Sequence, residues 1–155
     1  MSSKDLLNKQ ETKHNFLWVK FLTRFFLWIS ALYNLLVGAY YIDQAKYNGN
    51  AIYEQFAQLQ KIDFEYGIVC CILFVMFLTC VVLLSCYRRY ADAFLIFCYV
   101  LDMVSTIFYI LLTIYVKKDI GTFETYKVAI YNICACWLLL IINICYFNKK
   151  SHIFR

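Results

Sequence analysis

The chain has 155 residues, of which 63% are hydrophobic, 20% aromatic and only 16% charged, with a formal net charge of +5. A soluble domain of ordinary composition is roughly 45–50% apolar and about 25% charged, so these figures exclude a disordered chain, a collagen-like chain and an ordinary soluble enzyme. There are 4 glycines and no proline, which predicts long helices with few breaks.

Charged residues divide the chain into four apolar runs. Residues 25–42 form an uncharged run of 18, residues 66–87 one of 22, and residues 128–148 one of 21. Residues 93–116 form a run of 24 interrupted only by Asp102. A helix needs about 20 apolar residues to cross a hydrocarbon core of ~30 Å. Each run is therefore a predicted transmembrane helix. Open strands cannot satisfy their edges in lipid, and none of the runs alternates as a barrel strand would. The predicted fold class is all-α: a four-helix antiparallel transmembrane bundle forming a single membrane domain.

The first run follows a polar start of 24 residues and has no clear small-x-small cleavage site after it. It reads as an uncleaved anchor rather than a cleaved signal peptide. Just before it, Phe16, Leu17, Val19, Leu22 and Phe25 alternate with Lys20, Thr23 and Arg24. This pattern reads as an interfacial lead-in with snorkelling basic side chains. Between the first two runs, Tyr47-Asn48-Gly49-Asn50 signals a turn. Beyond it, residues 51–62 place Ile52, Phe56 and Leu59 at i, i+4 and i+7. That spacing predicts a short amphipathic helix at the interface or an outward extension of span two.

Basic residues set the expected orientation. One end of the bundle carries Lys4, Lys9, Lys13, Lys20, Arg24, Arg88, Arg89, Lys149, Lys150 and Arg155. The other carries Lys46, Lys61, Lys117, Lys118 and Lys127. Ten against five places both termini in the cytoplasm by the positive-inside rule. The net positive charge thus follows membrane topology and gives no basic face for nucleic acid.

Asp102 is the most informative residue. An ionised carboxylate near mid-bilayer costs at least ~2.5 kcal/mol and almost always faces the bundle interior. Tyr99, Asp102, Ser105, Thr106, Tyr109 and Thr113 make a polar stripe at helical spacing along span three. Span one offers Ser30, Asn34, Gly38 and Tyr41, and span four offers Asn132, Ala135, Cys136, Leu139 and Asn143. Asn34 and Asn132 lie at depths from which they can reach Asp102. The candidate intramembrane polar site is therefore Asp102 with Asn34, Asn132, Thr106, Tyr109 and Tyr99. Two readings stay open: interhelical hydrogen bonding that holds the bundle together, and a site for a proton, a cation or a small polar ligand. No lysine or arginine in any span core can pair with Asp102.

Eight cysteines are present. Adjacent Cys70 and Cys71, and Cys134 with Cys136, sit in matching halves of their spans and are the candidate redox residues. Neither spacing is a known redox signature, and buried cysteine usually packs as a small hydrophobe. His14 and His152 lie outside the spans, so no metal site is expected. No phosphate-binding loop or G-x-S-x-G motif occurs, and no catalytic residue or cofactor is expected. Scarce glycine leaves little provision for the unwound helices that transporters use.

The C-terminal pattern Asn143-x-x-Tyr146-Phe147-x-Lys149-Lys150-x-x-Ile153-Phe154 resembles the N-x-x-Y-F-x-K-R-x-x-L-F ending of small uncharacterised bacterial membrane proteins with four spans. Lys150 stands where the arginine is usual and Ile153 where leucine is. The resemblance implies a bacterial inner membrane and no assigned activity. The reading that follows is a non-enzymatic accessory, immunity-type or interaction protein. Its expected partners are the bilayer and either a second copy or a larger membrane complex. The alternatives are a small oligomeric proton- or solute-conducting unit centred on Asp102, and a thiol redox protein.

Overall fold

The computed structural model describes residues 17–46, 52, 54, 56–86, 90–118 and 123–149. Four long helices account for nearly all of them: α1 Leu17–Lys46, α2 Ala57–Ser85, α3 Ala91–Lys117 and α4 Phe123–Lys149. Each is long and apolar enough to cross a membrane. They form an antiparallel all-α bundle, in which α1 packs on α2, α2 on α3, and α3 on α4. We call the end holding Leu17, Ser85, Ala91 and Lys149 the terminal end, and the opposite end the loop end.

The helices run beyond the apolar runs. The lead-in to span one is no separate interfacial piece, because α1 continues through it from Leu17. Residues Leu22–Phe26 form one π-helical turn. The turn has a clear consequence for packing. Buried positions on α1 are Val19, Leu22, Leu27, Ala31, Asn34, Gly38 and Ala45. From Val19 to Gly38 they are spaced by three or four, except for a step of five across the π turn, and Ala45 follows two turns on. The extra residue keeps Val19 and Leu22 on the inward face that Leu27 and Ala31 occupy.

Of the amphipathic segment 51–62, Ala57 onward belongs to α2 as its extension beyond span two. Phe56, at φ −132° and ψ 74°, interrupts the helix just before it. Ala51, Tyr53 and Gln55 lie outside the described residues. So do Arg88 and Arg89 of the α2–α3 turn, and Lys150, Ile153 and Phe154 of the C-terminal pattern. That turn delivers Tyr90 in the left-handed region at φ 65°, from which α3 starts.

The tightest crossing joins α1 and α2 at two glycines. A Cβ added to Gly38 would stand 2.9 Å from the Gly67 carbonyl oxygen. One added to Gly67 would stand 3.0 Å from the Gly38 carbonyl oxygen. Small residues let backbones meet, and in lipid such close packing is a main source of helix association.

The apolar core sits at the terminal end. Leu22, Leu27, Phe77, Cys80, Leu84, Leu95 and Cys98 are fully buried there. Trp18 closes this end by donating its indole N–H to Asn143 Oδ1 at 3.1 Å and by packing on the Tyr146 ring. Asn143 Nδ2 in turn donates to the Leu139 carbonyl. Asn143, Tyr146 and Phe147, the described residues of the C-terminal pattern, thus hold the start of α1 against the end of α4.

Candidate functional site

Asp102 faces the bundle interior near the middle of α3, where it is buried. Its carboxylate gathers donors from two other helices. Asn34 Nδ2 of α1 donates to Oδ2 at 3.1 Å. Asn132 Nδ2 of α4 donates to Oδ1, also at 3.1 Å. The Cys136 thiol, one turn along α4 from Asn132, lies 3.7 Å from Oδ2. Geometry explains the convergence. Asn132 and Cys136 are four apart and share one face of their helix, and Asn34 lies on the buried stripe of α1.

The network continues toward the loop end. Thr106 Oγ1 donates to the Asp102 carbonyl at 2.9 Å and lies 3.4 Å from Asn132 Nδ2. The Tyr66 hydroxyl of α2 meets Thr106 Oγ1 at 3.2 Å. The Tyr66 ring stacks on Tyr109 with centroids 4.2 Å apart and planes 16° from parallel. Tyr41 meets both rings edge-on at 5.1 Å. The Tyr109 hydroxyl donates to Asp63 Oδ1 at 2.9 Å. Polar and aromatic groups thus extend from Asp63 near the loop end to Asp102 at mid-depth, and they draw on all four helices.

Two cavities lie along the seam between α1 and α4. Among the described residues these two helices make no extended close backbone contact. The first cavity, of about 350 Å³, is floored by Asn34, Asp102 and Asn132 and walled by rings including Phe26, Tyr33, Tyr99 and Tyr131. The second, of about 590 Å³, lies nearer the loop end and shares Tyr33 and Val128 with the first. Tyr99 lines the first and Thr113 the second, and neither hydroxyl makes a hydrogen bond of good geometry among the described residues, the Ser30 side chain standing beside that of Tyr99. Ile29 and Tyr131, 61% and 62% exposed, form the rims of the first cavity. The seam is therefore a lateral cleft facing the surroundings of the bundle, shut at its terminal end by Trp18, Asn143 and Tyr146.

The expected site residues divide as follows. Asp102, Asn34, Asn132 and Thr106 form one hydrogen-bonded cluster. Tyr109 joins it through its stack on Tyr66. Tyr99 sits one turn toward the terminal end, with its ring on Phe77 and its side chain beside Ser30. Tyr41 of the span-one stripe belongs to the same assembly, as do Asp63 and Tyr66, which the sequence did not single out. The i, i+3 spacing of Asp63 and Tyr66 on α2 is the signal that points to them.

The two cysteine pairs do not come together. Residues two apart on a helix differ by about 200°, so Cys136 faces inward while Cys134 is exposed on the outer surface. Cys71 packs against Gly38. All eight cysteines are free thiols. The thiol–thiol contact among the described residues is a different one, Cys80 to Cys98 at 3.5 Å. No histidine or cation stands beside Cys136 among the described residues to favour a thiolate. No group of three His, Cys, Asp or Glu among them could hold a metal ion.

Comparison with protein-family models, with characterised proteins and with solved structures returned no significant match.

Proposed function

We propose that this is a non-enzymatic, non-conducting integral membrane protein with a binding or accessory role, and that its cleft between α1 and α4 receives a membrane-borne ligand or partner. One observation carries this reading. The polar network stops at Asp102, the path onward to the terminal end between α2 and α3 is filled by fully buried Phe77, Cys80, Leu84, Leu95 and Cys98, and the seam between α1 and α4 is closed there by Trp18 on Asn143 and Tyr146. A conducting unit needs polar groups or water along its whole length. Here polarity leads from one end to mid-depth and then turns sideways into a cavity.

The excess of basic residues at the terminal end supports cytoplasmic termini. The C-terminal pattern supports a bacterial inner membrane as the setting. A non-enzymatic role is supported by the composition of the cluster, in which the one thiol, Cys136, faces a carboxylate with no histidine or cation among the described residues to favour a thiolate.

Reconstitution into liposomes loaded with a pH-sensitive dye tests the reading. Under an imposed proton gradient and a potassium diffusion potential, dye response is expected to match that of protein-free liposomes. Proton entry that depends on the protein and disappears in Asp102→Asn overturns it in favour of a conducting unit.

A further inference from the structure

The Asp102 cavity has a chemistry that narrows what it can bind. A carboxylate offers about four acceptor positions. Two neutral amides and one thiol occupy three of them. None of these partners carries positive charge, and neither lysine, arginine nor histidine lines the cavity. A carboxylate in low dielectric is strongly favoured by a countercharge at close range. The walls suit the same visitor. Phe26, Tyr33, Tyr99 and Tyr131 surround the space, and aromatic faces attract cations, most strongly where water is excluded.

Other ligand classes fit less well. An anion would meet Asp102. A purely apolar molecule would leave the carboxylate without a countercharge, at a cost. A divalent metal needs several oxygen or nitrogen ligands, and Asp102 is the one carboxyl lining this cavity. An ammonium ion with an apolar body satisfies every group at once. Its N–H groups donate to Asp102, its charge faces the carboxylate, and its body lies along the rings. A cavity of about 350 Å³ holds a small molecule of this kind. Entry between Ile29 and Tyr131 requires a ligand that already partitions into the bilayer.

We propose that the cavity between α1, α3 and α4 is a binding site for lipophilic ammonium ions, with Asp102 as the countercharge and the aromatic walls, Tyr33 and Tyr99 among them, as the cage. The assignment rests on the reading that the cleft binds rather than conducts, yet the two fail separately. Flux in liposomes overturns the first, and the binding ratios below overturn the second.

The test is equilibrium dialysis of the purified full chain in detergent, with protein-free micelles as the blank. The probes are phenylpropylammonium and phenylpropanol, which share an apolar body and differ in charge. Saturable binding of one ammonium per chain is expected, at least about tenfold tighter than the alcohol. In Asp102→Asn the ammonium affinity falls by about tenfold or more while that of the alcohol stays about the same. In Tyr33→Leu the ammonium affinity falls by roughly threefold to tenfold. Equal affinity for the two probes on the native chain overturns the proposal, and so does ammonium binding that Asp102→Asn leaves unchanged. Should Asp102→Asn fail to fold, the ratio of the two probes on the native chain still decides.

Discussion

On the terminal side of Asp102, α2 and α3 meet through side chains that fill space and carry almost no polarity, while the first cavity opens between α1 and α4. On the loop side the helices meet through tyrosines, threonines and carboxylates, with the second cavity along the same seam. Phe77, Leu84 and Leu95 stand for the first half, and the Asp63–Tyr109–Tyr66–Thr106 series for the second. Lipid gives helices no hydrophobic reason to associate, so each half must hold together by another means. The terminal half uses close packing and one clamp, Trp18 on Asn143. The loop half uses hydrogen bonds and the glycine crossing of α1 on α2. Packing of α2 on α3 makes a filled base, and the seam between α1 and α4 leaves space for a second molecule.

The largest effect should come from the packed half. Phe77 is fully buried with its ring 5.2 Å from that of Tyr99. In lipid the transfer term is small, but the cavity term remains, so Phe77→Ala is expected to cost about 2–4 kcal/mol. A detergent melt followed by near-ultraviolet circular dichroism measures it. A loss no larger than that of a single hydrogen bond would mean that the terminal half is loosely packed and that the contrast between the halves fails.

A smaller effect is expected in the polar half. Asn132→Leu removes one donor to Asp102 while keeping the side-chain volume similar, and should cost roughly 0.6–2 kcal/mol. The same melt, repeated with a helix-to-helix distance measured between spin labels at Ile29 and Leu138, sharpens the comparison. The distance is expected to widen in Asn132→Leu and to stay fixed in Phe77→Ala. Opposite behaviour would place the support of the cleft in the apolar base instead.

Much of this was legible in the sequence, for reasons that differ by residue. Four helices follow from run length. The inward face of Asp102 follows from the cost of a charge in lipid, and Asn34 and Asn132 follow as the amides at matching depth. Asp63 and Tyr66 were hidden. Asp63 stands at the edge of an apolar run and reads as an interfacial acid, and a tyrosine at a span end reads as an ordinary interfacial anchor. The π turn was hidden as well, because its sign is a single step of five in the buried pattern, visible only once burial is known. The approach of Cys80 to Cys98 depends on how far α2 slides along α3, which a single chain does not encode in spacing. That Cys134 and Cys136 cannot both face the Cys70–Cys71 pair, by contrast, follows from helix geometry alone.

The smallest effect should come from two threonines that differ only in their partners. Thr106 and Thr113 are both buried on α3, seven residues apart and on nearly the same face. The Thr106 hydroxyl is engaged with the Asp102 carbonyl, Tyr66 and Asn132. The Thr113 hydroxyl is buried in the wall of the second cavity with no partner. Valine has nearly the shape of threonine without the hydroxyl. Thr106→Val therefore loses made bonds and is expected to destabilise by about 1 kcal/mol. Thr113→Val removes a desolvated hydroxyl and is expected to be neutral or to stabilise by up to about 1 kcal/mol. Because shape, depth and helix are shared, the difference in melting temperature between the two variants isolates the hydrogen bonds. If Thr113→Val instead destabilises as much as Thr106→Val, its hydroxyl has a partner in the working protein, and the second cavity then holds a polar occupant that extends the Asp102 site toward the loop end.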